Sequence, residues 1–387
     1  MLVLSSCREV NSVQALLPRR RVVVIGNFDG VHRGHKALLQ RAHELAAGPS
    51  GEAAGAVVVL TFAPHPARVL APHLAPPLIT SVTRKRELLA AQGVQALCEQ
   101  PFDRAFSQLS PAEFVEQILL TAGLGASAVV VGYDFTFGKG RAGNTQVLGE
   151  LLAAHGATVS VVPPVTVPDP DGGAPLLCSS TLVRQALKAG QPERAALLLG
   201  HDPELEGEVV HGAGRGRSIG VPTANLRCTS EALPAVGVYA AWAELVDAAP
   251  AAADPEGPVT QLLACGEKVG PRPEVASLRR TSLCFPAAVN VGYNPTFTSS
   301  RGDSPVSHSE LSVSPVLPVS PASPIAIEAH LLGRPGEPAI PSLYGQTLRL
   351  RFVARVRAEQ KFPSAAALVA QIGSDIAVVK RRLGVSP

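Results

Sequence analysis

Two kinds of hydrophobic pattern follow one another along this chain, and they limit its fold more than any other feature. In the first half, unbroken apolar runs alternate with segments of helical periodicity. The apolar runs are 22–25, 56–62, 128–131 and 157–162, and the helical segments are 35–47, 83–92, 111–122, 145–155 and 180–189. Unbroken runs are typical of strands covered on both faces, so this half predicts an α/β domain with a parallel sheet wrapped by helices.

After residue 206 the apolar runs become short, β-branched and separated by turn residues. They are 207–211, 237–245, 287–292, 325–332 and 347–356, followed by a helical segment at about 364–383. This series predicts a small antiparallel β-barrel or sandwich with a C-terminal helix. We place the domains at 1–195 and 196–387. The Ala/Pro-rich stretch 247–280 and the Ser/Pro/Val-rich stretch 299–324 are predicted to be surface-loop insertions, and the Arg-Gly-Asp triplet at 301–303 a chance match.

Charge and cysteine content exclude several classes of protein. The 34 Lys and Arg residues nearly balance the 31 Asp and Glu residues, so no nucleic-acid partner is expected from bulk charge. Six scattered cysteines without a C-x-x-C pair indicate reduced thiols. The N-terminus shows no signal peptide, and no apolar stretch is long enough to span a membrane. We expect a cytoplasmic protein that is a monomer or a weak homo-oligomer.

The strongest local motif is Ile25-Gly26-Asn27-Phe28-Asp29-Gly30-Val31-His32-Arg33-Gly34-His35. An apolar strand leads into a glycine-rich turn, and two histidines three residues apart open a helix. Glycines allow close approach of the backbone to a ligand, and a helix N-terminus favours phosphate. His32 and His35 share one helix face and can both point at that phosphate. Two alternatives stay open: the histidines bind zinc, or they are incidental surface or capping residues.

A second chemical motif opens the C-terminal half. A loop rich in glycine and arginine, 207–217, leads into Ser218-Ile219-Gly220-Val221-Pro222-Thr223-Ala224-Asn225. It lacks the Walker pattern G-x-x-x-x-G-K-[ST]. The loop is nevertheless a plausible phosphate cradle, in which Thr223 and Asn225 offer oxygen ligands to Mg²⁺. A turn-rich hairpin without chemistry is the alternative.

Further segments occur in the order seen in one known family. They are 61–66 (Thr-Phe-Ala-Pro-His-Pro), 132–140 (Gly-Tyr-Asp-Phe-Thr-Phe-Gly-Lys-Gly), 179–184 (Ser-Ser-Thr-Leu-Val-Arg), 287–292, 294–297, 327–330, 343–345 and 357–362. With the two motifs above, they resemble the bacterial bifunctional riboflavin kinase/FAD synthetases from about residue 10 to 383. The resemblance implies an α/β Rossmann-like nucleotidyltransferase fold with FMN adenylyltransferase activity in the first domain. In the second domain it implies a flavokinase-like antiparallel β-barrel with riboflavin kinase activity. It also implies riboflavin, FMN and FAD as ligands, ATP as co-substrate in both steps, and Mg²⁺.

The resemblance also assigns roles to residues. In the first domain it implies phosphate and transition-state binding by His32, His35 and Arg184. It implies nucleotide contacts by Gly26, Asn27, Phe28, Asp29, Gly30, Gly34, Ser180 and Thr181, and flavin contacts by His65, Pro66, Asp134, Phe135 and Phe137. In the second domain it implies nucleotide contacts by Gly214, Gly220 and Pro222, Mg²⁺ ligation by Thr223 and Asn225, a flavin contact by Arg357, and Glu328 as the general base.

Two departures from the family pattern bear on these expectations. The segment 200–203 lacks the basic and aromatic residues usual where the domains join, and the stretch 299–324 lies just before Glu328 and could displace it. Two rival functions stay open. One is a single-activity enzyme with one degenerate domain, and the other is a non-catalytic flavin or nucleotide sensor.

Overall fold

The computed structural model describes residues 1–9, 16–48, 55–120, 123–212, 220–228, 231–246, 284–293, 325–333 and 342–385. These residues belong to two compact units. The first comprises Met1–Leu205 and Thr229–Pro234, and the second comprises Glu206–Cys228 and Ala235–Pro387. A helix, Pro192–Leu199, runs across the sequence-based boundary at 195/196. The predicted insertions and the triplet at 301–303 lie outside the described residues.

A six-stranded parallel sheet forms the centre of the first unit. Its strands are β1 (Leu2–Leu4), β2 (Arg21–Ile25), β3 (Ala56–Ala63), β4 (Ala96–Pro101), β5 (Ala128–Gly132) and β6 (Thr158–Val162), in the order β1-β4-β3-β2-β5-β6. Alternate valines enter opposite cores: Val23 and Val58 pack on one face, Val22 and Val57 on the other. Both faces are buried, which explains the unbroken apolar runs and confirms the predicted parallel sheet.

The α-helices of this unit are α1 (Arg33–Ala47), α2 (Pro66–Leu70), α3 (Val82–Ala91), α4 (Pro111–Phe114), α5 (Thr145–Ala153), α6 (Ser180–Lys188) and α7 (Pro192–Leu199). Helices α1, α3, α4 and α5 cover the two faces of the sheet, whereas α6 and α7 pack in a separate core. Leu39 of α1 and Leu89 of α3 enter one core, while Phe114 of α4 and Leu148 of α5 enter the other. A short hairpin, β7 (Thr166–Val167) with β8 (Leu176–Leu177), precedes α6.

Several elements of this unit were not predicted from the sequence, namely β1, β4, β7, β8, α2 and α7. Strand β4 shows no long apolar run, because its three buried residues are followed at once by Glu99 and Gln100. The segment 111–122, predicted to be a helix, is helical over Pro111–Leu119, but not as one regular α-helix. Helix α4, capped by Ser110, gives way to a π-helical turn at Val115–Leu119.

The second unit is a closed antiparallel barrel. Its strands are β9 (Glu204–Val210), β10 (Ala224–Cys228), β11 (Gly237–Val246), β12 (Cys284–Tyr293), β13 (Ile325–Leu331) and β14 (Thr347–Arg357), in the order β10-β13-β12-β11-β14-β9. The predicted barrel is therefore confirmed over the sandwich. Helix α8 (Ala365–Leu383) packs Val379 and Leu383 against Ala240 and Trp242 of β11, which confirms the C-terminal helix.

Candidate active sites

The loop between β2 and α1 holds a strained backbone. Phe28 and Val31 have φ values of 51° and 40°, in the left-handed region that bulky and β-branched residues rarely adopt. A Cβ on Gly34 would lie 3.0 Å from the carbonyl oxygen of Cys178, so α1 begins in tight contact with the residues before α6. Strain of this kind is concentrated at functional sites. The ring of Phe28 is fully buried, with its centroid 4.8 Å from that of His35.

His32 and His35 form a stacked pair at the N-terminus of α1, with ring centroids 3.7 Å apart. His32 is the N-cap, and its Nδ1 accepts the backbone N–H of His35 at 3.3 Å, so a neutral His32 carries its proton on Nε2. Burial and the charge of Arg184 lower the pKa of His32 to about 4. Burial, His32 and Lys85 lower the pKa of His35 well below its ordinary value. Near pH 7 both rings are neutral hydrogen-bonding groups.

Asp29 organises the residues around this pair. Its buried carboxylate accepts the backbone N–H groups of Ile79 and Thr80 at 2.9 and 3.2 Å. It also binds Nη2 of Arg184 at 2.5 Å, while Nε of Arg184 donates to the carbonyl of Pro77 at 2.7 Å. Asp29 is therefore occupied by protein partners, and it holds the guanidinium of Arg184 in place.

Helix α6 contributes its first turn to the same place. The hydroxyl of Ser180 donates to the carbonyl of Asp29 at 2.8 Å, so it ties α6 to the loop after β2. Thr181 is exposed beside it in the same turn. Asn27 is also exposed, and its carbonyl accepts the hydroxyl of Thr61 at 3.2 Å. The sequence motifs after β2 and before α6 thus form one cluster.

The predicted flavin side divides into two groups. His65 caps α2 by accepting the N–H of Ala67, with Pro66 as the first helical residue. Burial lowers the pKa of His65, and the charges of Asp29 and Arg184 also act on it, so His65 belongs to the cluster above.

The aromatic residues of the loop after β5 form the second group. Phe135 and Phe137 stack with centroids 5.5 Å apart, and Phe137 also packs on Phe114 in the hydrophobic core. Phe137 is therefore a core residue that supports half-buried Phe135. Asp134 is exposed, with a carboxylate oxygen 3.3 Å from the position of a Cβ on Gly132.

Sequence reasoning missed two polar residues near this cluster. Lys85, in the first turns of α3, exerts its charge on both His35 and His65, and burial lowers its own pKa. His201 donates from Nε2 to the carbonyl of Gly30 at 3.1 Å. Neither residue belongs to a short motif, so no local signal could have identified them.

The described residues offer no ligand set that would support zinc binding by His32 and His35. Over the described ranges, no group of three or more His, Cys, Asp and Glu side chains could hold a metal ion.

In the barrel, three polar residues lie in one row across neighbouring strands. Asn225 on β10 is opposite Glu328 on β13, which is opposite Asn290 on β12. Opposite residues in antiparallel strands project from the same face, about 4.5–5.5 Å apart at Cβ. The flanking residues Leu226, Ile327, Ala329, Val289 and Val291 are buried in the barrel. The row is therefore on the outer face, and the residues before β13 do not displace Glu328.

The backbone around Thr223 is fixed beside this row. His330 donates from Nδ1 to the carbonyl of Pro222 at 2.7 Å. A Cβ on Gly212 would overlap the side chain of Asn225, so a larger residue there would force that amide to move. Gly220 has a φ of 77°, whereas Gly214 lies outside the described residues.

Arg357 is the last residue of β14, and its side chain contacts the C-terminal helix. Nε of Arg357 donates to both carboxylate oxygens of Asp375 at 3.0 Å, which anchors β14 to α8. The carboxylate of Glu359, a residue that the sequence did not single out, lies near Asn290. A Cβ on Gly292 would be 3.0 Å from Oε1 of Glu359 and 3.3 Å from Nδ2 of Asn290.

Comparisons with known proteins agree with the order of the two clusters. The sequence model of the FAD synthetase family matches residues 15–171, and that of the riboflavin kinase family matches 199–383. The bifunctional riboflavin kinase/FMN adenylyltransferase of Escherichia coli (strain K12) is 32% identical, over 94% of this chain and 93% of the relative. Those of Pseudomonas fluorescens and Bacillus subtilis (strain 168) are 31% and 30% identical, over 96% and 92% of this chain and 96% and 90% of the relatives.

Among solved structures, a crystal structure described as a macrolide-efflux protein from Streptococcus pneumoniae is similar over 98% of both chains, with a TM-score of 0.69 and 26% identity. This likeness therefore covers the folds of both units. Within the part of this chain that the structure describes, no helix is long and apolar enough to cross a lipid bilayer. Given the two family matches and relatives that align over nearly their whole length, the chain belongs to the bifunctional riboflavin kinase/FMN adenylyltransferase family.

Proposed function

We propose that the cluster around His32 and Arg184 transfers the adenylyl group of ATP to FMN, and that the row around Glu328 phosphorylates riboflavin. The chain is an enzyme with both activities, which makes FMN from riboflavin and FAD from FMN. The division of labour is supported by the FAD synthetase match at 15–171 and the riboflavin kinase match at 199–383.

In adenylyl transfer, a phosphate oxygen of FMN attacks the α-phosphorus of ATP, and the bond to the β-phosphate breaks to release pyrophosphate. No side-chain nucleophile is needed, so catalysis depends on positioning and charge stabilisation. Arg184 binds the leaving pyrophosphate, with Ser180, Thr181 and the start of α6. The observation that best supports this assignment for the first unit is that Asp29 and the carbonyl of Pro77 both hold the guanidinium of Arg184.

The neutral histidines act as hydrogen-bonding groups in this scheme. With Nδ1 of His32 occupied by the N–H of His35, its Nε2–H is the group left to donate to a phosphate oxygen. Phosphate binding brings negative charge next to both rings and raises their pKa values. Flavin contacts by His65, Pro66, Asp134 and Phe135 belong to the same proposal.

In the kinase reaction, the 5′-hydroxyl oxygen of riboflavin attacks the γ-phosphorus of ATP, ADP leaves, and the carboxylate of Glu328 takes the hydroxyl proton. The observation that best supports this assignment is the register that places Glu328 between Asn225 and Asn290. Arg357, anchored by Asp375, is assigned to the flavin side as the family pattern implies.

Mg²⁺ fits the donor set beside Glu328. Thr223 and Asn225 supply neutral oxygens, which suits an ion held largely through nucleotide phosphates. When bound, Mg²⁺ neutralises charge on the phosphates. Free, buried Cys7, Cys98 and Cys178 support a reducing, cytoplasmic location, and a monomer or weak homo-oligomer stays part of the proposal.

Two substitutions test the assignment with separate assays for each step. Glu328→Gln should abolish FMN formation from riboflavin and leave FAD formation from supplied FMN unchanged. His35→Ala should let FMN accumulate from riboflavin. Flavins are separated by chromatography, and circular dichroism verifies folding. If a folded Glu328 variant loses both activities together, or folded His35→Ala makes FAD normally, the corresponding assignment is wrong.

A further inference from the structure

A short segment of the C-terminal half packs within the first unit. Residues 231–234 lie inside the range that matches riboflavin kinases, 199–383, yet they belong to the first compact unit. Ala232 is buried there, in one core with Ile79 and Leu199. The segment is therefore an integral part of the unit that contains His32 and Arg184.

This segment holds one residue of the first unit, Leu78, by both of its backbone groups. The carboxylate of Glu231 accepts the N–H of Leu78 at 3.0 Å, and the N–H of Ala232 donates to the carbonyl of Leu78 at 2.9 Å. Glu231 also forms a salt bridge to Arg68 on α2 through both carboxylate oxygens. The carboxylate is thus fixed on two sides.

The residues on either side of Leu78 hold the catalytic cluster. The carbonyl of Pro77 accepts Nε of Arg184 at 2.7 Å. The N–H of Ile79 donates to both carboxylate oxygens of Asp29, at 2.9 and 3.1 Å. A shift of Leu78 therefore moves both anchors of the Arg184 guanidinium.

We infer that Glu231 is a positioning residue for adenylyl transfer, acting through Leu78 on Asp29 and Arg184. The inference rests on the proposed role of Arg184. It means that a residue in the kinase half of the sequence sets the geometry of the FAD-forming site. Glu231 and Arg68 have side chains 39% and 38% exposed, so their salt bridge adds little stability. The effect of Glu231 on the position of Arg184 matters more than this stability, because a misplacement of about 1 Å can cost about 10²-fold in rate.

The test compares Glu231→Ala, Glu231→Gln and a matched control in the full-length protein. The control is Glu44→Ala, which removes the carboxylate of another exposed Arg–Glu pair in the same unit. Each protein is assayed for FAD formation from FMN and MgATP, and separately for riboflavin phosphorylation. Thermal unfolding is followed by circular dichroism.

We expect Glu231→Ala to lower kcat for FAD formation about 10- to 100-fold with a smaller change in KM, because Arg184 acts on the leaving pyrophosphate. Glu231→Gln should keep most of the activity, since its amide oxygen can still accept the N–H of Leu78. Riboflavin phosphorylation and the unfolding midpoint should match those of Glu44→Ala.

Wild-type kcat in Glu231→Ala would overturn the inference. It would also be overturned if both Glu231 variants lowered the unfolding midpoint and FAD formation together, because the residue would then be merely structural. Arg184→Ala, assayed alongside, separates this from the proposed function. If Arg184→Ala forms FAD normally, the site assignment itself fails, whereas loss in Arg184→Ala with normal Glu231→Ala refutes the positioning role alone.

Discussion

Replacing Asp29 with asparagine would test the network on which the first site depends. The carboxylate is 4% exposed and accepts four hydrogen-bond donors: two backbone N–H groups, the hydroxyl of Thr80 and the guanidinium of Arg184. The asparagine side chain would have nearly the same shape. It would carry no charge, and its amide would turn N–H donors toward other donors.

The expected cost follows from these contacts. Removing one partner of a buried ion pair costs about 3–5 kcal/mol, because the other charge is left uncompensated. The remaining amide oxygen can keep one backbone hydrogen bond, which contributes about 1 kcal/mol. We therefore expect Asp29→Asn to lower the free energy of unfolding of the first unit by about 3 kcal/mol. For a unit of this size, that corresponds to a fall of about 6–12 °C in the unfolding midpoint.

The two units can be followed separately in one sample. Trp242 is the sole tryptophan of the chain and lies in strand β11, so its fluorescence reports on the barrel. Far-UV circular dichroism is dominated by helices α1 to α7 of the first unit. Asp29→Asn should lower the dichroism transition and leave the fluorescence transition in place. FAD formation should fall with the loss of Arg184 orientation, while riboflavin phosphorylation persists.

A double-mutant cycle with Arg184→Gln identifies the cause. If the ion pair accounts for the loss, the double variant should be little less stable than Asp29→Asn alone, because coupling in such pairs reaches about 0.5–3 kcal/mol. A destabilisation below about 1 kcal/mol for Asp29→Asn, or additive losses in the double variant, would refute this account of the network.

Three further predictions concern single residues. Because burial holds the pKa of His32 at about 4 against 6.5 when unfolded, its contribution to the stability of the first unit should be complete above pH 6.5 and fall by about 3 kcal/mol down to pH 4. Urea titrations should show a weaker pH dependence in His32→Gln, and an unchanged slope would contradict the assignment. Asn290→Ala should slow riboflavin phosphorylation about tenfold without affecting FAD formation from FMN, because it removes the amide opposite Glu328, and one hydrogen bond to the reacting groups contributes about 1.4 kcal/mol. Gly212→Ala should also reduce the kinase activity, because its Cβ would force the amide of Asn225 to move; normal MgATP kinetics would contradict this.

Much of the architecture could be predicted because burial leaves a direct trace in the sequence. The valine runs of β2, β3 and β5 are unbroken since their residues enter cores on both faces, and they indicated the parallel sheet. Strand β4 was not predicted, because a charged and an amide residue, Glu99 and Gln100, occupy its less buried end. Strand β10 was not predicted, because its first residues were assigned to a phosphate-binding loop. The π-helical turn after α4 follows no local pattern, since tertiary packing of Val115 and Leu119 decides it.

The candidate sites divide in the same way. Segments of contiguous residues, such as 26–35 and 220–225, carry their chemistry in order, so their residue types could be recognised before any fold was known. The residues that contact them from other elements could not be recognised in this way. Lys85 reaches the histidine pair from another helix, and Asn290 meets Glu328 only through the register of β12 and β13.

The sequence by itself determined the two domain types, the family and the residue types of both reactions, because hydrophobic period and short motifs are local properties. Only the tertiary structure decided what those residues do to one another. It buried Asp29 so that it orients Arg184, placed the ring of Phe28 in the core, and set Glu231 of the kinase half against Leu78. These are contacts between residues distant in sequence, and chain folding, not local preference, brings them together.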